Sequence, residues 1–146
     1  MKLKQISLFL ENAPGATGKA LKLLADNGIN ISTLSLSDSK FFGILRLLIY
    51  NWEKAKNVLE QNNYVVKITD VVAIEVDHAA GSLSKVLEVL DKEQINVEYL
   101  YAFAPGFNNK AAIIFRFDDP DSAIEKIKSE LPLLDSFNLF GIEKPE

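Results

Sequence analysis

Two short stretches 66 positions apart limit what this chain can fold into: Glu11-Asn12-Ala13-Pro14-Gly15 and Asp77-His78-Ala79-Ala80-Gly81. Each follows a strand-like run and opens a helix-like one. The copies stay in step downstream, Lys19 matching Lys85, Leu21 matching Leu87 and Leu24 matching Leu90. Gly28-Ile29-Asn30-Ile31-Ser32 then answers to Gln94-Ile95-Asn96-Val97-Glu98. Self-similarity at a fixed offset marks a duplicated supersecondary unit. In a chain of 146 residues, units of roughly 70 residues are marginal for one hydrophobic core each, so the halves are expected to pack together. The link Thr69-Asp70-Val71 carries no Pro, Gly or Ser spacer and is too short to hold them far apart.

Ile6, Leu8 and Leu10 alternate with Gln5, Ser7 and Phe9, the period of a strand with one face on a core. Pro14 has its ring angle preset for a helix start and Gly15 permits a tight approach, so a helix opens near residue 15. Ala20, Leu21 and Leu24 form its apolar stripe, and Asn27-Gly28 stops it. Strands follow at Ile31 to Leu36 and, after the turn residues Ser37 to Lys40, at Phe41 to Ile49. A helix from Glu53 to Gln61 and a strand from Tyr64 to Ile68 complete the first unit. The second repeats the order: strand Val72 to Val76, helix Leu83 to Leu90, strands Val97 to Phe103 and Ala111 to Phe117, helix Ser122 to Ser129, strand Phe137 to Ile142. Arg46 matches Arg116 at a spacing of 70, so the loop Ala104 to Asn109 is four residues longer than its counterpart.

Strand, helix, strand, strand, helix, strand, used twice, is α+β: two tandem ferredoxin-like βαββαβ units, with antiparallel sheets and helices on one face. The domains are read as residues 1–69 and 70–146. Tyr99, Tyr101 and Phe103 share one parity of their strand and are expected on the open face, where the first unit has Thr33, Ser35 and Ser37. An aromatic row there reads as an association surface or a cover for something bound rather than as a solvated face, which makes a homodimer plausible. Arg46 and Arg116 read either as a carboxylate clamp or, the preferred alternative, as open-face arginines bonded to acidic neighbours such as Glu75. Trp52, beside Tyr50 at a helix start, reads as packing.

A net charge of −4 with no clustered Lys or Arg argues against a nucleic-acid backbone as partner. Without cysteine there is no disulfide and no thiolate nucleophile, and a single histidine excludes metal sites of the Cys or His type. The apolar runs are too short to cross a bilayer and the first residues lack a signal-peptide pattern, so a cytoplasmic protein without membrane partners is expected. There is no paired nucleophile and base and no phosphate loop, so an enzyme is not expected, nor is a cofactor.

The strand ending in Glu11-Asn12-Ala13-Pro14-Gly15, the helix, and then Gly28-Ile29-Asn30-Ile31 resemble the signature of the ACT domain family. Asp77-His78-Ala79-Ala80-Gly81 with Gln94-Ile95-Asn96-Val97 resembles a diverged copy, with Ala80 in place of the usual proline and Gln94 in place of the usual glycine. The resemblance spans almost the whole chain as two tandem units. It implies a non-catalytic regulatory module that binds small ligands, usually amino acids, at an interface between paired units. It also implies that Asn12 and Asn30 contact the amino acid, while Leu10 stands where the family often has a histidine.

The residues support such a site on their own terms. A helix N-terminus presents unpaired N–H groups and partial positive charge, a seat for a carboxylate at the amides of Gly15 and Ala16. Side-chain amides at Asn12 and Asn30 both donate and accept, which suits a zwitterion. The expected ligand-binding set is Asn12, Ala13, Pro14, Gly15, Ala16, Asn30 and Ile31, with His78, Ala79, Gly81 and Asn96 from the second copy. Asn12 reads equally as a turn cap and Asn30 as a turn residue. His78 reads either as a solvated loop histidine or as a site residue whose titration makes binding pH-sensitive. Two other functions stay in view: an interaction module without a ligand, and RNA binding, for which Lys40-Phe41-Phe42-Gly43-Ile44 weakly matches an aromatic RNA-binding strand.

Overall fold

The structure, a computed structural model, describes residues 1–39, 41–103 and 109–144. The chain divides into two compact units, one of Lys4–Thr69 and one of Asp70–Glu146 joined by Met1–Leu3. The N-terminus belongs to the second unit because Lys2 is tied there, its ammonium 2.9 Å from Asp121 and 3.6 Å from Asp70.

The first unit runs β1 (Leu3–Glu11), α1 (Ala16–Asp26), β2 (Thr33–Asp38), β3 (Phe42–Leu48) and α2 (Trp52–Gln61), and closes with the first residues of β4 (Val65–Asp77). Its strand order is β2-β3-β1-β4. Antiparallel register sets Ile6 opposite Leu47 and Leu8 opposite Leu45, and these residues pack with Ala20, Leu24, Ala55 and Leu59 into one core. Alternation sends Gln5, Ser7 and Phe9 to the other face with Leu48, Arg46 and Ile44. Gln5 and Ser7 are buried there, the Gln5 amide donating to the Ser7 hydroxyl at 3.3 Å. Trp52 is half-buried against the core, as a packing residue should be.

The second unit continues β4 and adds α3 (Ser82–Lys92), β5 (Val97–Phe103), β6 (Lys110–Phe117), α4 (Pro120–Ile127), β7 (Leu133–Leu134) and α5 (Ser136–Phe140). β6 pairs with both β4 and β5, and β7 with β4, all antiparallel. Val72, Ile74, Phe115 and Ile113 form a second core with Val86, Leu90, Ala123 and Ile127. Tyr99, Tyr101 and Phe103 stand opposite Arg116, Ile114 and Ala112, on the face away from that core, as their parity implied, and are half-buried.

Three sequence expectations are corrected. Tyr64 to Ile68 and Val72 to Val76 are not separate strands but parts of the single strand β4, which passes through Thr69-Asp70-Val71 without a break. All three of those residues tolerate an extended backbone. The strand expected at Phe137 to Ile142 is the short helix α5, because the Asp135 carboxylate accepts from the Asn138 N–H at 2.8 Å and Gly141, at φ 65°, terminates it. The closing strand is instead the two-residue β7. Arg116 does bond an acidic neighbour, but that neighbour is Glu98, at 3.2 Å, in place of Glu75, which lies 3.8 Å from Lys110; Arg116 also donates to the Asp70 carbonyl at 3.0 Å. The β5–β6 register shifts between Val97 and Tyr99, and this bulge brings Glu98 beside the arginine. Arg46 donates to the Ser37 hydroxyl at 3.0 Å. Of the loop expected at Ala104 to Asn109, residues 104–108 lie outside the described residues, as does Lys40.

The helix ends repeat as closely as the helix starts. Gly28 has φ 67° and Gln94, its counterpart, φ 54°. In both, the next residue's N–H returns to the helix, Ile29 to Leu24 at 3.0 Å and Ile95 to Leu90 at 2.9 Å. A side chain in the left-handed region is strained where glycine is not. Gln94→Gly is therefore expected to stabilise the protein by about 0.5–1 kcal/mol, read as a higher urea midpoint. A lower midpoint would mean that the Gln94 side chain contributes more than its backbone costs.

Candidate functional site

The two turns that open α1 and α3 are built alike. Ala13 N–H donates to Glu11 at 2.9 Å and Ala16 N–H to Ala13 at 3.3 Å. In the second copy Ala79 donates to Asp77 at 2.9 Å and Ser82 to Ala79 at 3.2 Å. Gly15 and Gly81 act as N-caps at φ 83° and 84°. A Cβ added at either meets nothing within 4 Å, so the glycine serves the left-handed backbone and not a close approach. Ala80 supports the same turn as Pro14, so the proline presets this geometry without being required for it.

These helix starts are left open. Neither α1 nor α3 has a side-chain cap or an acidic residue in its first turn, whereas α4 is capped by Asp119, which accepts from the Ser122 N–H at 3.1 Å. At α1 the Ala16 N–H is already bonded to Ala13, which removes it from the seat expected at Gly15 and Ala16. The N–H groups of Gly15, Thr17 and Gly18 have no backbone acceptor among the described residues. Partial positive charge at such an end favours an anion.

Two surface grooves flank the first turn. The larger, about 830 Å³, is lined by Glu11, Ala13 to Ala16, Lys19, Lys22, Leu23, Asp26 and the Asn62-Asn63-Tyr64 turn, with Phe9 and Leu10. The smaller, about 340 Å³, joins Asn12, Ala13 and Thr17 to Leu36, Ser37, Asp38 and Gly43 at the end of the β2–β3 hairpin, and shares Leu10 and Glu11 with the larger. The expected site is thus divided: Asn12 belongs to the smaller groove, Pro14, Gly15 and Ala16 to the larger, and Ala13 to both. Asn30 is exposed and lines neither, and Ile31 is half-buried against the first core. Sequence reasoning passed over Glu11, Asn63 and Tyr64 as lining residues. Asn63 did carry a signal, since an asparagine just past a helix end is a frequent left-handed residue, and it sits at φ 66°.

The side chains of Asn12, Asn30 and Asn96 make no hydrogen bond among the described residues, and the turn around Asn12 is closed by backbone bonds alone. That removes the reading of Asn12 as a turn cap and leaves its amide available. His78, Ala79 and Gly81 are exposed, and the His78 N–H donates to the Asn109 carbonyl at 2.7 Å.

The residues opposite the two turns differ. Asp77 faces Lys110 across the ladder and pairs with it at 2.5 Å, while Glu11 faces Phe42, whose ring meets Phe9 edge-on at 5.9 Å. The Lys110 hydrogen bond, its charge and then that of Lys85 hold the Asp77 carboxyl below its ordinary value of 3.8. A depressed folded-state value contributes stability that is present above the unfolded value and lost as pH falls through the folded one. Asp77→Asn is therefore expected to flatten the fall in melting temperature below about pH 4. The effect is small because the pair is exposed, and an unchanged acid-side slope would contradict it.

A family model described as an ACT domain pair matches residues 1–141. Among solved structures, a protein from Bacteroides thetaiotaomicron shares 38% identity over 97% of this chain and 98% of its own, with a TM-score of 0.89. The ligand-free regulatory subunit of aspartate kinase from Thermus thermophilus shares 15% identity over 86% of this chain and 91% of its own, with a TM-score of 0.62. The corresponding subunit from Thermus flavus has a TM-score of 0.58 at 15% identity, over 86% of this chain and 90% of its own. At that identity the two aspartate kinase subunits establish likeness of fold. A comparison with curated proteins found no match.

Proposed function

We propose that this chain, which belongs to the ACT domain pair family, is a non-catalytic cytoplasmic sensor that binds an amino acid at its first strand-to-helix turn. The observation that carries this is the open start of α1 beside the free Asn12 amide. A helix end with no side-chain cap and no acidic first turn offers a seat for a carboxylate, and an uncommitted amide can both donate and accept. Asn12, Ala13, Pro14 and Gly15 form the core of this site. Asn30 and Ile31 are further candidates in the first copy, and His78, Ala79, Gly81 and Asn96 are the candidates at the corresponding turn of the second.

Among the described residues no helix is long and apolar enough to cross a membrane. The half-buried row Tyr99, Tyr101 and Phe103 supports association of two copies. The test is a calorimetric titration of the wild type and of Asn12→Ala with each of the twenty common amino acids. Saturable binding of one or a few, weakened by the substitution, is the expected result. Partner binding indifferent to every amino acid would replace the sensor with an interaction module.

A further inference from the structure

Glu11 and Lys19 both line the larger groove of the first unit, and neither side chain makes an ion pair or hydrogen bond among the described residues. The other two charges of that groove are already matched, since Lys22 lies 3.0 Å from Asp26 one helical turn away. One free anion, one free cation and a mutually neutralised pair therefore border an apolar wall that includes Pro14, Leu23 and Tyr64. A zwitterion with an uncharged side chain answers that arrangement. Its two charges meet opposite charges, and no unmatched charge remains to select an ionised side chain. A lone anion or a lone cation would leave one groove charge unanswered.

The second copy shows what the same positions do when closed. Asp77, the counterpart of Glu11, is bonded to Lys110, its cross-strand neighbour, and lies in the field of Lys85, the counterpart of Lys19. Glu88 stands where the first copy has Lys22. The acid of the second turn is thus neutralised within the protein, whereas Glu11 faces Phe42 across its ladder.

We infer that Glu11 and Lys19 determine specificity in the larger groove, holding the ammonium and the carboxylate of one uncharged-side-chain amino acid per chain, while the second turn holds none. This rests on the amino-acid reading above. It adds which groove is used, which side chains discriminate and the stoichiometry.

The test uses the full chain and whichever of the twenty common amino acids binds it, together with that amino acid's deaminated acid and its decarboxylated amine. Glu11→Gln is expected to weaken the amino acid and the amine about tenfold and leave the acid unchanged. Lys19→Met should weaken the amino acid and the acid about tenfold and leave the amine unchanged. Lys85→Met should alter none of them, and calorimetry should give one site per chain. Both groove residues are exposed, so the variants are expected to fold, with circular dichroism as the check. Amino-acid binding unchanged in both groove variants, or two sites per chain, overturns this inference and leaves the sensor reading standing. Binding of no amino acid by the wild type overturns both.

Discussion

Phe115→Ala is expected to destabilise the protein by about 3–5 kcal/mol. The side chain is fully buried and its ring stacks on that of Phe117, with centroids 5.5 Å apart and planes 13° from parallel. It stands opposite Val72 on β4 and Leu100 on β5, at the centre of the three strands that carry the second core. Truncation removes both the transferred apolar area and the packing of the atoms around it. A single domain has about 5–15 kcal/mol to lose, and units of this size lie toward the low end. The urea midpoint should fall accordingly, with the loss of amide protection concentrated in β4, β5 and β6. A cost below about 1 kcal/mol would mean that the surroundings collapse into the space, contrary to the packing described.

The second large effect is on the side of the ligand. An amino acid present at about one hundred times its dissociation constant should stabilise the folded protein by roughly 2.7 kcal/mol, because it binds the native and not the unfolded chain. The groove and turn belong wholly to the unit of residues 4–69, so the gain should appear first as slowed hydrogen exchange in β1 and α1. Asn12→Ala should reduce the gain without a comparable loss of stability in the free protein, since that amide makes no hydrogen bond among the described residues. Equal stabilisation of wild type and variant would mean that the ligand sits elsewhere.

Much of this was legible in the sequence. Offsets of 66 and 70 residues located both copies of the fold, because the turns that open the first helix of each copy keep their glycine at a left-handed backbone, as Gly15 and Gly81 do, although Gln94 shows that the glycine is not kept at every such position. Parity placed Tyr99, Tyr101 and Phe103 on the sheet face away from the core without any coordinate. What stayed hidden depends on register and on local competition. Arg116 reaches Glu98 because of a bulge, and a single displaced residue leaves no mark in an alternating pattern. Phe137 to Ile142 has strand-like composition, yet Asp135 caps a helix there that buries Leu139, and propensity yields to the cap. The contrast between Glu11 and Asp77 was equally out of reach. It is decided by whether Phe42 or Lys110 stands across the ladder, which the hairpin register fixes and the spacing does not.

The claim at the centre of this account is that an amino acid binds at the first strand-to-helix turn, and backbone amide chemical shifts followed during a titration test it most directly. Saturable shifts are expected at Gly15, Thr17 and Gly18, with the Asn12 side-chain amide moving in step at the same midpoint. Saturable shifts confined to residues remote from that turn, such as those of α4, with the Asn12 and Gly15 signals unmoved, would contradict it.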